Sequence, residues 1–138
     1  MLNELAKNIH ANAIEHGWWD EKRSFPEIVA LCHSELSEAL EEYRDGHPAF
    51  YHPCNAGGLC CDDIPDITCG NRIYNSEDPD APCKARSKKP EGIAVELADC
   101  IIRILDYCAH AEIDIDEILR TKHEYNKTRP YRHGGKIV

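Results

Sequence analysis

Two pairs of acidic residues could do chemistry together: Glu35 with Glu38, and far downstream Glu96 with Asp99. A spacing of three residues puts both members of a pair on one helix face, near enough to share one ligand. If the two helices pack together, four negative charges converge, and burying them uncompensated is very costly. Either the acids protonate or a cation sits among them. An all-oxygen donor set suits Mg²⁺, with Mn²⁺ as a second choice. A di-iron carboxylate centre would instead want Glu-x-x-His pairs. Here both pairs end in an acid, and His33, two residues before Glu35, points elsewhere. Taken alone, Glu35, Glu38, Glu41 and Glu42 could equally be the solvated face of an amphipathic helix. Glu96 and Asp99 are harder to dismiss, because their helix is otherwise apolar nearly all round.

A second group with chemistry is the thiols. The chain has eight cysteines, of which Cys54, Cys60, Cys61, Cys69 and Cys83 crowd into one segment with His47 and His52 nearby. That is enough soft ligand for one tetrahedral, structural Zn²⁺, although no Cys-x-x-Cys pair marks a standard finger or ribbon. Exposed thiols in a loop, or disulfides in an oxidised sample, are the competing readings. With no recognisable export signal, reduced thiols or a metal site are favoured over a disulfide scaffold. Cys32, Cys100 and Cys108 fall in apolar helical patterns and read as core residues.

The elements that must position these groups are helical. Leu2, Leu5, Ile9 and Ala13 recur at helical spacing over residues 2–16, and Gly17 is a natural stop. Ser24-Phe25-Pro26-Glu27 is a capping box opening a helix that runs to about Asp45, with Gly46 at its end. A third helix covers about 91–110, with Glu96, Asp99, Arg103, Asp106 and His110 as one ionisable stripe on an apolar cylinder. Such a helix belongs in the middle of a bundle, and the stripe needs partners. Asp114-Ile115-Asp116-Glu117 opens a fourth helix ending before Pro130, on which Lys122, Asn126 and Arg129 share a face. Between the second and third helices, residues 46–90 hold six of the eight prolines and show no sustained period. A structureless loop that long invites a cross-link or a metal. The expectation is one all-α domain over 1–138, a four-helix bundle carrying 46–90 as an irregular Cys-, Pro- and Gly-rich insertion.

A net charge of −9 disfavours nucleic-acid polymers as partners, though not nucleotides, whose phosphates a divalent ion can join to acids. No apolar run is long enough for a membrane span, and the acidic, amphipathic start is unlike a signal peptide, so the expected address is cytoplasmic.

Glu35-Leu36-Ser37-Glu38 followed by Glu96-Leu97-Ala98-Asp99 resembles the signature of the MazG-like, all-α nucleoside triphosphate pyrophosphohydrolases. The wider string His33 to Arg44, and the ending with Asn126, Arg129 and His133-Gly134-Gly135-Lys136, are similar to that family as well. Ser34 stands where the signature has its first Glu, and Glu42, one turn beyond Glu38, could partly compensate. The connection between the motifs is longer than the family's usual one. The resemblance implies a Mg²⁺-dependent hydrolase that converts an NTP or dNTP to the monophosphate and pyrophosphate. On that reading Glu35, Glu38, Glu96 and Asp99 hold the ions, and water attacks the α-phosphorus in line, with Glu38 or Glu35 taking its proton. Lys122, Asn126 and Arg129 would face the phosphates, Trp18 or Trp19 could stack on the base, and the chain would act as a homodimer or higher homo-oligomer. Arg103 reads as a structural ion-pair partner on the stripe of Glu96 and Asp99. The alternative is a non-enzymatic interaction module in which a zinc-stabilised insertion binds a partner and the helices are scaffold.

Overall fold

The structure, a computed structural model, describes residues 1–55, 60, 83 and 85–131. Four α-helices follow in order: α1 Leu2–Glu15, α2 Phe25–Arg44, α3 Ile93–His110 and α4 Ile115–Lys127. All four lie where hydrophobic period and capping residues place them. Among the described residues there is no strand, only two isolated antiparallel bridges, Tyr51 with Glu91 and Cys54 with Arg86. Cys61, Cys69 and the tail from Arg132, with His133 and Lys136, lie outside the described residues.

The helix ends are built from the expected chemistry. At α2 the Ser24 amide donates to Glu27 Oε2 at 2.8 Å, and Ser24 Oγ accepts from the Glu27 amide at 3.4 Å. That reciprocal pair satisfies two amides that have no helical partner. Asp114 caps α4 by accepting from the Glu117 amide at 3.0 Å. The other half of that box is absent, because the Glu117 carboxylate pairs with Arg120 and Thr121 instead.

The chain divides into two compact units, residues 1–28 with 102–138, and residues 29–101. In the first, the starts of α1 and α4 cap each other. Asp116 accepts from the Leu2 and Asn3 amides at 3.1 and 3.0 Å, while Asn3 Nδ2 donates to Asp114 at 2.8 Å. The hydrogen bond from the Met1 amino group, supported by these amides, holds the Asp116 carboxyl down at about 2. A second knot gathers on Asp106, which accepts from the Trp19 indole at 3.0 Å and meets His10 Nδ1 at 2.6 Å. Trp19 in turn stacks on His110 with ring centroids 3.9 Å apart. Asp106 and His110 of the ionisable stripe thus have their partners. Arg103 sits with its guanidinium 5.5 Å from the Trp18 ring, a cation–π contact.

In the second unit the ends of the insertion are tied together. Tyr51 and Glu91 exchange backbone hydrogen bonds at 3.0 and 2.9 Å, Ser87 donates to Pro53 O at 2.8 Å, and Asn55 to Ala85 O at 2.7 Å. Residues 49–55 therefore run antiparallel to 85–94. Gly92 makes the close approach possible: at φ +112° its backbone lies so near that an added Cβ would come within 2.7 Å of the Pro48 and Ala49 carbonyl oxygens. The Ala94 amide, at the start of α3, donates to Ala49 O at 2.8 Å, so main chain replaces a capping side chain there.

The third helix departs from expectation, since it is not enclosed on all sides within one chain. Cys100, Leu105 and Cys108 are buried, whereas Leu97, Ile101, Ile102 and Ile104 are each more than 40% exposed. The helix buries one stripe, and the remaining apolar surface faces outward. Cys32, also read as core, is only half-buried.

Candidate metal centre

Glu35 and Glu38 are held on α2, one turn apart, and Glu96 on the first turn of α3. Gly92 fixes where that first turn begins, since the Glu96 amide donates to the Gly92 carbonyl at 3.2 Å. The outcome is convergence. One carboxylate oxygen from each of Glu35, Glu38 and Glu96 lies within 4.8 Å of the others, and no other such set of three potential ligands occurs among the described residues. Glu35 and Glu96 are buried, at 5% and 6% exposure, while Glu38 opens to solvent. Asp99 is half-buried and lies close enough for its charge to act on Glu96, but it is not in the tight set. The expected four-acid ligand set is thus a triad with a fourth acid beside it.

The electrostatics of the triad are unbalanced. Burial comes first, and the charges of Glu38, Asp99, Glu35 and Glu91 add to it, so the Glu96 carboxyl is pushed up to about 7. An acid raised that far marks a place where negative charge exceeds what the protein neutralises. The nearby ammonium of Lys89 is largely exposed and bonds Glu91 at 2.7 Å. That bond, and behind it the charges of Glu91, Glu96 and Asp99, holds the ammonium above its usual range. A divalent cation fits the triad on donor type and on charge: all donors are hard oxygens, and the excess negative charge is the quantity it would remove.

Ser34 has a role that sequence pattern does not show. Its hydroxyl donates to Glu38 Oε1 at 3.1 Å, so a neutral donor one turn before Glu38 restrains a carboxylate of the triad. Glu42, one turn beyond Glu38, is occupied elsewhere. It bonds His47 Nδ1 at 3.0 Å and accepts from the Tyr51 hydroxyl at 3.4 Å. Burial, followed by the Glu42 charge, pushes that buried phenol up to about 12. Lys89 and Glu91 carry no signal in the sequence as neighbours of the acids, because their approach depends on the bridge to Tyr51.

Lys122, Asn126, Arg129 and Trp18 belong to the first unit, whereas the acids belong to the second. Lys122 is exposed, with its ammonium 4.9 Å from the Tyr125 ring. Trp18 is 47% exposed, and the guanidinium groups of Arg23 and Arg103 stand 5.2 and 5.5 Å from its ring. Trp19 is committed through its indole N–H to Asp106, which leaves Trp18 as the more available ring. No helix among the described residues is long and apolar enough to cross a membrane. In comparisons with known proteins, no protein-family model, no curated protein and no solved structure matches the chain.

Proposed function

We propose that this chain is a Mg²⁺-dependent nucleoside triphosphate pyrophosphohydrolase of the MazG-like kind, releasing a nucleoside monophosphate and pyrophosphate. The observation that carries the reading is the meeting of Glu35, Glu38 and Glu96 at ligand distance, two of them buried and one forced toward neutrality. Three acids that merely solvated a helix surface would not have two of their number buried.

Glu35, Glu38 and Glu96 hold the cation, with Asp99 available to a second one. A bound Mg²⁺ would offset the charge of the acids and of the phosphates and would lower the pKa of water. Glu38, the solvent-facing member, takes the proton of the water that attacks the α-phosphorus, and Glu35 is the second candidate for that step. Ser34 limits the rotation of Glu38 while it does so. On the family resemblance, Lys122, Asn126 and Arg129 are assigned to the departing pyrophosphate and Trp18 to the base. The exposed Leu97, Ile101, Ile102 and Ile104 support a homo-oligomer in which this surface is covered.

The test is product analysis with a panel of NTPs and dNTPs, with and without Mg²⁺, against a Glu38→Gln control. Metal-dependent release of monophosphate and pyrophosphate, lost in the control, is the expected result. No turnover across the panel would overturn the assignment and leave the interaction module as the reading.

A further inference from the structure

We propose that Cys54, Cys60 and Cys83 supply thiolates to one structural Zn²⁺ that fastens the insertion. This site is separate from the acidic triad in both residues and chemistry.

The described residues of the insertion bury mainly sulfur in one cluster. Among the described residues, Cys54, Cys60 and Cys83 form one buried cluster whose other member is Ala85. Their exposures are 9%, 0% and 3%, and Cys60 is the fully buried side chain of the described residues. Three of these four small side chains carry sulfur, the soft donor that a structural Zn²⁺ takes. Small modules are often held by disulfides or by a metal. Three thiols in one buried cluster of the described residues are more than the single minor core cysteine that packing alone would use.

Backbone placement points the same way. The sulfurs come from three well-separated points of the chain that main-chain hydrogen bonds bring together. Cys54 bridges Arg86, the Cys60 amide donates to His52 O at 2.9 Å, and the Arg86 amide donates to Cys83 O at 2.9 Å. A cation at their centre would cross-link both ends of the insertion. The three residues cluster, but their sulfurs do not all lie within 4.8 Å of one another. Tetrahedral ligation at a Zn–S length of about 2.3 Å needs sulfurs about 3.8 Å apart, so side-chain rotation accompanies binding.

His52 is excluded as a ligand. Arg86 donates to its Nδ1, and a neutral imidazole accepting there carries its proton on Nε2. Three of the four ligands that zinc takes are thereby assigned. Each thiol gives up its proton to solvent on binding, so zinc uptake is proton-coupled and weakens in acid. No change of oxidation state is involved.

The test uses the full chain, purified with a non-thiol reductant and without chelator. Metal analysis should find about one zinc per chain. Replacement by Co²⁺ should give the near-ultraviolet charge-transfer band that thiolate ligands produce and carboxylates do not. Glu96→Gln should keep both signals, whereas Cys60→Ser and Cys83→Ser should lose the band. Should those variants fail to fold, thiol labelling of the wild type decides: zinc must protect at least three of the eight cysteines from reaction. Absence of the cobalt band together with no zinc-dependent protection would overturn the proposal, as would a mass showing these cysteines paired in disulfides under the same conditions. Pyrophosphohydrolase activity is not a readout in any arm, so this inference and the functional one can fail separately.

Discussion

Replacing Glu96 by glutamine should make the metal-free protein more stable than wild type at neutral pH, with an advantage that shrinks toward zero as acid is added. The side chain is buried at 6% exposure and its carboxyl is raised to about 7, against an ordinary value near 4.5. Between those two values the folded chain holds a proton that the unfolded chain has lost. Stability from this group is therefore fully present below about pH 4.5 and is lost as pH rises through 7. At about 1.4 kcal/mol per pH unit, the loss amounts to roughly 3 kcal/mol by pH 8, taken as an upper figure. Glutamine copies the protonated acid and has nothing to titrate. Urea unfolding of both proteins in EDTA, at several values from pH 5 to 8, isolates the effect because other titrating groups are shared. The gap should open toward higher pH and approach that figure. Adding Mg²⁺ at pH 8 should then close it from the wild-type side, by about 2.7 kcal/mol at one hundred times the dissociation constant. Parallel profiles for the two proteins, separated by a constant gap, would refute the claim that the triad carries uncompensated charge.

Other residues give three more expected outcomes. Gly92→Ala should destabilise by about 1–3 kcal/mol, since it combines φ +112° with an approach of 2.7 Å to two carbonyl oxygens; Mn²⁺ titration should show weakened binding as well, because Glu96 is placed from that turn. Glu112, a non-glycine residue at φ +54° just past α3, closes a turn in which the Ile113 amide donates to Cys108 O at 2.8 Å; Glu112→Gly should raise the unfolding free energy by up to about 1 kcal/mol in the same urea assay. Asp106→Ala removes the acceptor shared by Trp19 and His10; a loss of about 1–3 kcal/mol and altered tryptophan emission are expected, and an unchanged spectrum would count against the Trp19 contact.

Local rules make most of the helical framework legible. Ser24 with Glu27, Asp114 with the Glu117 amide, and the period of apolar residues each act within a few positions, and the helices begin and end accordingly. Glu35, Glu38 and Glu96 are readable for a similar reason, since an acid on a mostly apolar stripe is conspicuous. What escapes the sequence is non-local. The pairing of Tyr51 with Glu91, the seat of Gly92 against Pro48 and Ala49, and the knot of His10, Trp19, Asp106 and His110 join residues with no shared period. Glu42 looks like a spare ligand by helical spacing, but a histidine and a tyrosine from the following segment claim it. The apolar cylinder of α3 misleads in another way: composition tells how much surface wants covering, without telling whether one chain covers it.

The paired ends of the insertion have a consequence for how this gene could change. The latches at Tyr51–Glu91 and Cys54–Arg86 fix how far apart the two flanking stretches lie, whatever length of chain joins them. Closing such a loop costs only logarithmically more as it grows. Provided Cys60 and Cys83 are kept, length and sequence between the latches can thus change while the acids keep their places, which makes this stretch a cassette where new specificity can be tried without rebuilding the helical frame.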